Sequence, residues 1–296
     1  MNSRFKMNSR LNMNFCTKLC LAGLIAIAAT LAPAKLRAQA SEIPSAQTTE
    51  STSGVDQDKR GRALLDQMIA ALGGDAWLHR NTLLLHGHSA SFFRGEPNLG
   101  SPEFWEYRQF ADATSTPPRQ DADRIEFTKK RDIVQIWTPT NGYEVTYKGN
   151  KPLPAEQVED FLRRRAHSLE SIITVWLKQP GLVVLYEGTS SVERRMADKV
   201  TLLAANNDAV TIEIDHSTHL PLRRTFEWRN QQFKDHDEDA EQYDDYHVFQ
   251  GVQTPMAVSR YRNGDLASQR FIVDVTYGVA VTPEMFNTDL PLKRKK

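Results

Sequence analysis

Cysteine is confined to the start of the chain. Both cysteines of the 296-residue sequence, Cys16 and Cys20, fall within its first 40 residues, and those 40 read as a cleavable export signal. Arg4, Lys6, Arg10 and Lys18 form a basic segment without an acid, residues 19–32 form an apolar run of about 14 residues, and Ala38-Gln39-Ala40 is a small-x-small cleavage site. Met7 and Met13 are alternative starts that leave the apolar run intact. Cleavage after Ala40 removes every thiol. That excludes disulfide staples, thiol redox chemistry, thiolate metal sites and a cysteine nucleophile. Neither cysteine ends the apolar run, where a lipid-modified one would stand, and the run is shorter than the roughly 20 residues of a membrane span.

Catalytic signatures are also missing. The sequence has no Gly-x-Ser-x-Gly, no His-Glu-x-x-His, no P-loop and no dinucleotide glycine pattern. Losing the leader takes six of the 37 Lys and Arg, leaving 31 against 37 Asp and Glu. The exported form is therefore acidic, which excludes nucleic-acid binding by charge. The remaining chain suits one large β domain with a core that needs no staple.

Alternation of apolar and polar residues is abundant. Val210, Ile212 and Ile214 alternate with polar positions, Leu222, Arg224, Phe226 and Trp228 share the next face, and Phe271, Val273, Val275 and Tyr277 share another, with Asn263-Gly264 as a hairpin turn. This is the pattern of an antiparallel meander with one buried face. Upstream, strands are expected over 83–93, 104–110, 124–128, 132–137 and 143–147, the last two joined through Asn141-Gly142. Further strands are expected over 182–186 and 199–203. A helix ends at Leu72-Gly73-Gly74. A second, over 154–179, carries an apolar stripe of Val158, Phe161, Leu162, Leu169, Ile172, Ile173 and Trp176. Residues 41–59, rich in Ser, Thr, Gln and acids, read as a disordered tether, and 60–296 as a single domain.

The chemical candidates carry simpler readings beside the functional ones. His86 and His88 are spaced as two ligands on one strand face, but no third ligand is evident, and a hydrogen-bonded or rim pair is the preferred reading. The acidic run 235–245 lacks the spacing and glycine of an EF-hand, so it reads as a solvated hairpin loop. Arg163-Arg164-Arg165 reads as a solvated helix face and Lys293-Arg294-Lys295-Lys296 as a solubilising tail. Arg224 is different. A buried charge is costly unless paired, so it either snorkels at an open rim or meets an anionic ligand group. A sheet of about 11 strands curls, and with only two helices its concave face is expected to keep an apolar cavity. The expected lining is Phe92, Trp105, Tyr107, Trp137, Ile172, Trp176, Arg224, Phe226, Trp228, Phe271 and Val273.

The turn motifs carry a resemblance. Leu72-Gly73-Gly74, Asn141-Gly142-Tyr143, the stretch Ile214-Asp215-His216-Ser217-Thr218-His219-Leu220-Pro221, then Tyr246 and Gly251-Val252-Gln253-Thr254-Pro255 are similar to the turns of the LolA/LolB-like superfamily of outer-membrane lipoprotein carriers. The resemblance implies an α+β, mainly antiparallel fold: a half-open curled β-barrel with helices packed in or over the concave face. It implies a monomeric periplasmic protein that carries lipid or the acyl chain of a lipoprotein, with an inner- or outer-membrane protein as a further partner. No enzyme activity, cofactor or metal is implied. The ligand-binding arginine of the family has three candidate positions here, Arg94, Arg108 and Arg224. The alternatives are a non-catalytic envelope scaffold or stress sensor that binds a protein, and more remotely a hydrolase.

Overall fold

The computed structural model describes residues 54–98, 100–230 and 234–292. The leader, most of the tether and the basic tail lie outside the described residues. The first helix, α1 (Gly54–Leu72), starts inside the stretch expected as tether, so 54–59 are helical. A short α2 (Asp75–Leu78) follows.

The strands are β1 (Thr82–Phe93), β2 (Glu96–Pro97), β3 (Glu103–Gln109), β4 (Ala122–Phe127), β5 (Ile133–Trp137), β6 (Gly142–Thr146) and β7 (Gly149–Pro152). After two helices come β8 (Val183–Val192), β9 (Arg195–Leu203), β10 (Ala209–Asp215), β11 (Pro221–Asn230), β12 (Asp235–Phe249), β13 (Val252–Arg262) and β14 (Asp265–Tyr277). Their order across the sheet is β7-β6-β5-β4-β3-β1-β14-β13-β12-β11-β10-β9-β8, with β2 paired only to β1. Every pairing is antiparallel. The sheet is open and curled, not closed, and its 14 strands exceed the expected count. The short β2 and β7 are extra. β12 also absorbs the acidic run that was expected as a loop.

Topology places the middle helices. The chain leaves the sheet at one edge, β7, and re-enters at the other, β8, so the connection must cross a whole face. The expected single helix over 154–179 is two: α3 (Ala155–Ala166) and α4 (Leu169–Thr174), then a 3₁₀ turn, Trp176–Lys178. The break comes at His167 and Ser168. There the Ser168 hydroxyl accepts from the Ser171 N–H and caps a new helix.

One half of the helix-covered inner face is filled. Leu65, Met68 and Leu72 of α1, and Ile172, Ile173 and Trp176, pack on Val184, Val200, Leu202, Val210, Ile212, Ile214 and Phe226. Each such burial contributes roughly 1.5–3 kcal/mol. α1 ends where its turn docks: Gly73 has φ +128°, and a Cβ there would lie 2.4 Å from the Gly251 carbonyl oxygen. The outer face is covered locally by the C-terminal segment, whose Phe286 and Leu292 pack on Val134, Ile136 and Val145. Among the described residues no helix is long and apolar enough to cross a membrane.

Candidate functional site: an ion-lined hollow beneath helix α3

The other half of the inner face is charged. Helix α3 buries no residue, and it rests on the sheet through one aromatic stack and a set of ion pairs. Phe161 stacks on Trp137 with centroids 3.8 Å apart. Arg165 donates to Asp123 through Nη2 and to the Thr138 carbonyl through Nη1 at 3.1 Å. Asp160 accepts from Arg164 Nε at 3.2 Å, Arg260 Nη2 at 3.0 Å and Arg262 Nη1 at 3.0 Å, and Arg163 lies 4.0 Å away.

Beneath α3 lies a hollow of about 260 Å³, lined by Arg108, Arg164, Arg165, Arg260, Arg270, Glu106, Asp123 and Glu241, with Phe161, Tyr243, Val258, Ser168 and Ser268. Strand parity builds it. Glu106 and Arg108 of β3, Asp123 of β4, Arg270 and Ser268 of β14, Val258 and Arg260 of β13, and Glu241 and Tyr243 of β12 share the inner face through paired registers. Arg270 donates to Glu106. Arg224 of β11 is fully buried, with Glu241 Oε2 at 2.9 Å and Asp239 Oδ1 at 3.6 Å from Nη2. Those contacts are close but poorly aligned: Nε, Nη1 and Nη2 all lack a hydrogen-bond acceptor.

The charges set one another's protonation. Burial opposes the charge of Glu241, but Arg224, Arg164 and the Tyr243 hydroxyl together outweigh it and hold the carboxyl at about 2. Burial dominates at Asp123 and lifts it to about 6, against the pull of Arg108 and Arg165. Burial also lifts Asp239, although Arg260 and Arg224 oppose the shift. Arg164 is held below its ordinary value by burial and by the neighbouring Arg260.

The expected cavity residues do not share one lining, and none of the eleven borders the hollow. Trp137, Arg224, Phe226 and Trp228 do lie on the inner face, but Ile172, Trp176 and Phe226 are part of the filled core. Arg224 does not snorkel at a rim: it is fully buried, and the anions beside it are Glu241 and Asp239. Trp228 is clasped between Arg163 and Arg262, 4.5 and 4.1 Å from its ring. Trp105 and Tyr107 fall on the outer face with His86, where Trp105 stacks on the imidazole at 4.7 Å. Phe92 shares their face by alternation, and Phe271 is 47 % exposed.

The face expected to hold Phe271, Val273, Val275 and Tyr277 is broken. A bulge between His86 and Gly87 pairs Ile272, not Val273, with Gly87 and leaves Val273 53 % exposed. The bulge explains Gly87, since a Cβ there would meet the Phe271 carbonyl oxygen at 2.2 Å. The arginine triplet was missed as a functional feature. Arg164 and Arg165 line the hollow instead of facing solvent. Of the three candidate arginines, Arg108 lines it, Arg224 stands behind Glu241, and Arg94 is in the exposed turn after β1.

His86, His167 and His216 are engaged by carboxylates. His86 bonds Glu103 and Asp274 at 2.8 and 3.2 Å, His167 bonds Asp208 at 3.0 Å, and His216 bonds Asp198 at 2.7 Å. Among the described residues none of these imidazoles bonds a serine or threonine hydroxyl, and no group of three acidic, histidine or cysteine side chains is placed to hold a metal.

The turn motifs are structural. Asp215 Oδ1 accepts from Ser217 N, Ser217 Oγ and Thr218 N, and the Tyr246 hydroxyl donates to the Pro221 carbonyl at 2.8 Å. No family model matches the sequence, and no curated protein is similar to it in sequence. Solved structures are similar in fold. A DUF1329 family protein from Desulfovibrio piger is 10% identical, with a TM-score of 0.54, over 78% of this chain and 97% of that one. A protein described as an outer membrane lipoprotein-sorting domain, from Vibrio parahaemolyticus, is 7% identical, with a TM-score of 0.50, over 78% and 97%. A LolA superfamily protein from Nitrosomonas europaea is 8% identical, with a TM-score of 0.46, over 77% and 97%. At such identities the likeness is one of fold: this chain shares its open, curled antiparallel architecture with the first two of these structures.

Proposed function

We propose that this chain is a non-catalytic, exported binding protein that carries lipid, or the acyl chain of a lipoprotein, between α3 and the sheet in the periplasm. The observation that carries the proposal is the helix α3, which buries none of its own residues yet covers a hollow of about 260 Å³. A cover held mainly by ion pairs belongs to the least stable part of a fold and is suited to open. Ligand pockets usually run from about 300 to 1,000 Å³, so loading requires α3 to lift. Lifting also parts Phe161 from Trp137 and exposes both rings to an acyl chain. Burial supplies about 0.8 kcal/mol per CH₂, enough for one chain to provide most of the binding energy.

The test is native mass spectrometry with lipid extraction on mature protein purified from the periplasm without detergent. A bound mass that extracts as phospholipid, fatty acid or acylated peptide is expected. A clean apo mass, with no uptake of a fluorescent fatty acid, would overturn the carrier reading. One observation favours a second reading, a scaffold that binds a protein partner: the α1–α4 half of the inner face is filled and the hollow is ion-lined instead of apolar. The apo outcome would point there.

A further inference from the structure

The hollow is lined by more arginines than carboxylates. Five arginines and three carboxylates border it, and Asp121, Asp160 and Asp239 pair with Arg108, Arg164, Arg165 and Arg260 from just outside the lining. Asp160 is shared among Arg163, Arg164, Arg260 and Arg262. One carboxylate accepts at most a few well-formed bonds, so four guanidiniums leave donors unused. Arg164 is the clearest case. Among the described residues its only acceptor is Asp160, through Nε, and its two terminal nitrogens have none. Arg270 bonds Glu106 through Nη2 alone. Arg108 Nε is buried and makes no hydrogen bond, with Asp123 Oδ1 3.5 Å away. The Ser268 hydroxyl, also on the lining, has no hydrogen-bond partner among the described residues.

We propose that the hollow beneath α3 binds a phosphate-type oxyanion, the headgroup of the amphipathic ligand carried by this protein. The identification as a lipid headgroup rests on the carrier reading above; the oxyanion site itself does not. Guanidinium forks match the paired oxygens of a phosphate and form charge-assisted bonds that are roughly twice as strong as neutral ones. Arg164 and Arg260 press like charges together, and burial with that repulsion disfavours the Arg164 cation. An anion between them removes the repulsion. Phe161 and Val258 supply the apolar part of the lining where the first methylenes of a lipid would start.

The experiment is titration calorimetry on the mature protein with three probes: inorganic phosphate, myristoyl lysophosphatidylglycerol below its micelle concentration, and monomyristoylglycerol, which has the same acyl chain and no phosphate. The expected result is that lysophosphatidylglycerol binds about tenfold or more tightly than monomyristoylglycerol. Arg164→Gln is expected to bring the ratio of the two affinities close to one. Phosphate binding alone, with neither lipid bound, supports the oxyanion site with free phosphate as its source and removes the carrier reading. Equal affinity for the two lipids, with no phosphate binding, overturns the oxyanion site and leaves the carrier reading standing. Failure of all three probes overturns both. Should Arg164→Gln not fold, the wild-type ratio of the two lipids decides alone.

Discussion

Arg224 and Glu241 form a pair of opposite charges across adjacent strands, 2.9 Å apart, with the arginine fully buried. The pair lies between the filled half of the inner face and the charged half. Removing one member of such a pair strands the other in a poorly solvated site. Glu241→Gln is therefore expected to lower unfolding free energy by about 3 kcal/mol, measured by urea denaturation. The double variant Arg224→Met with Glu241→Gln is expected to cost less than the sum of the single changes. Additive costs would show that the two charges do not act together.

The parity of the strands was legible in the sequence, and the consequences of that parity for charge were not. Arg224 stands on the same face as Phe226 and Trp228, as the alternation requires. The same period of two runs through Asp237, Asp239, Glu241 and Tyr243, and through Arg260 and Arg262. Each carboxylate at 239 and 241 pairs directly with an arginine on β13. Read in isolation, the acidic run is a solvated loop, because high charge density is costly to bury unless the opposite charge arrives from elsewhere. The cations come from β11, β13 and α3, a partnership that no local window contains. The α3 triplet fails in the same way: its i,i+4 partner Asp160 is visible in sequence, but Asp123 and Asp121 are not. The outer-face positions of Trp105 and Phe271 were hidden for another reason. Periodicity says which residues share a face and leaves open which face is inside, and the bulge at Gly87 then shifts the count by one.

Gly73 is fixed by two independent constraints, a φ of +128° and the Gly251 carbonyl oxygen 2.4 Å from where a Cβ would sit. Substitution cannot be absorbed by a side-chain rotation, since the obstacle is backbone. Gly73→Ala is expected to destabilise the fold by roughly 1–3 kcal/mol and to loosen the docking of α1, read as faster amide exchange over 54–72. Gly74→Ala has open space for its Cβ, although its φ is also positive at +53°, and is expected to cost less. Equal costs would remove the docking contact as the cause.

His86 links stability to pH. Its hydrogen bond to Glu103, with the weaker one to Asp274, raises its pKa above the ordinary 6.5 against the opposing effect of burial. The folded state thus holds the proton more tightly than the unfolded chain. The stabilisation is complete below about pH 6.5 and is lost as pH rises through the raised value. Relative to His86→Gln, the wild-type protein is expected to have its largest advantage in thermal midpoint on the acidic side, shrinking toward pH 8. The difference between the two proteins cancels the other histidines. A difference that grows with pH would reverse the sign and refute the assignment.

Asp160 is the hinge of the argument for an opening helix, because it alone of the α3 carboxylates reaches two arginines of β13, Arg260 and Arg262, at 3.0 Å each. Its carboxyl is held below the usual range: burial raises it, and Arg260, Arg164 and Arg262 together outweigh burial. The latch is thus fully charged at neutral pH and weakens only in strong acid. Asp160→Asn keeps the shape and removes the charge that the guanidiniums share. With no buried residue of its own, α3 is otherwise held by the Phe161–Trp137 stack, the pairs of Arg165, the Arg163–Trp228 contact and the bond from Trp176 Nε1 to the Ala166 carbonyl. Amide exchange over 155–166 is expected to quicken by about tenfold, the change that a loss near 1.4 kcal/mol of local stability produces, while α1 and the central strands keep their protection. High salt is expected to produce part of the same effect in the wild-type protein, since these pairs are only partly buried. If exchange in α3 is unchanged in the variant, the ion pairs are not the latch, and access to the hollow must come by another route.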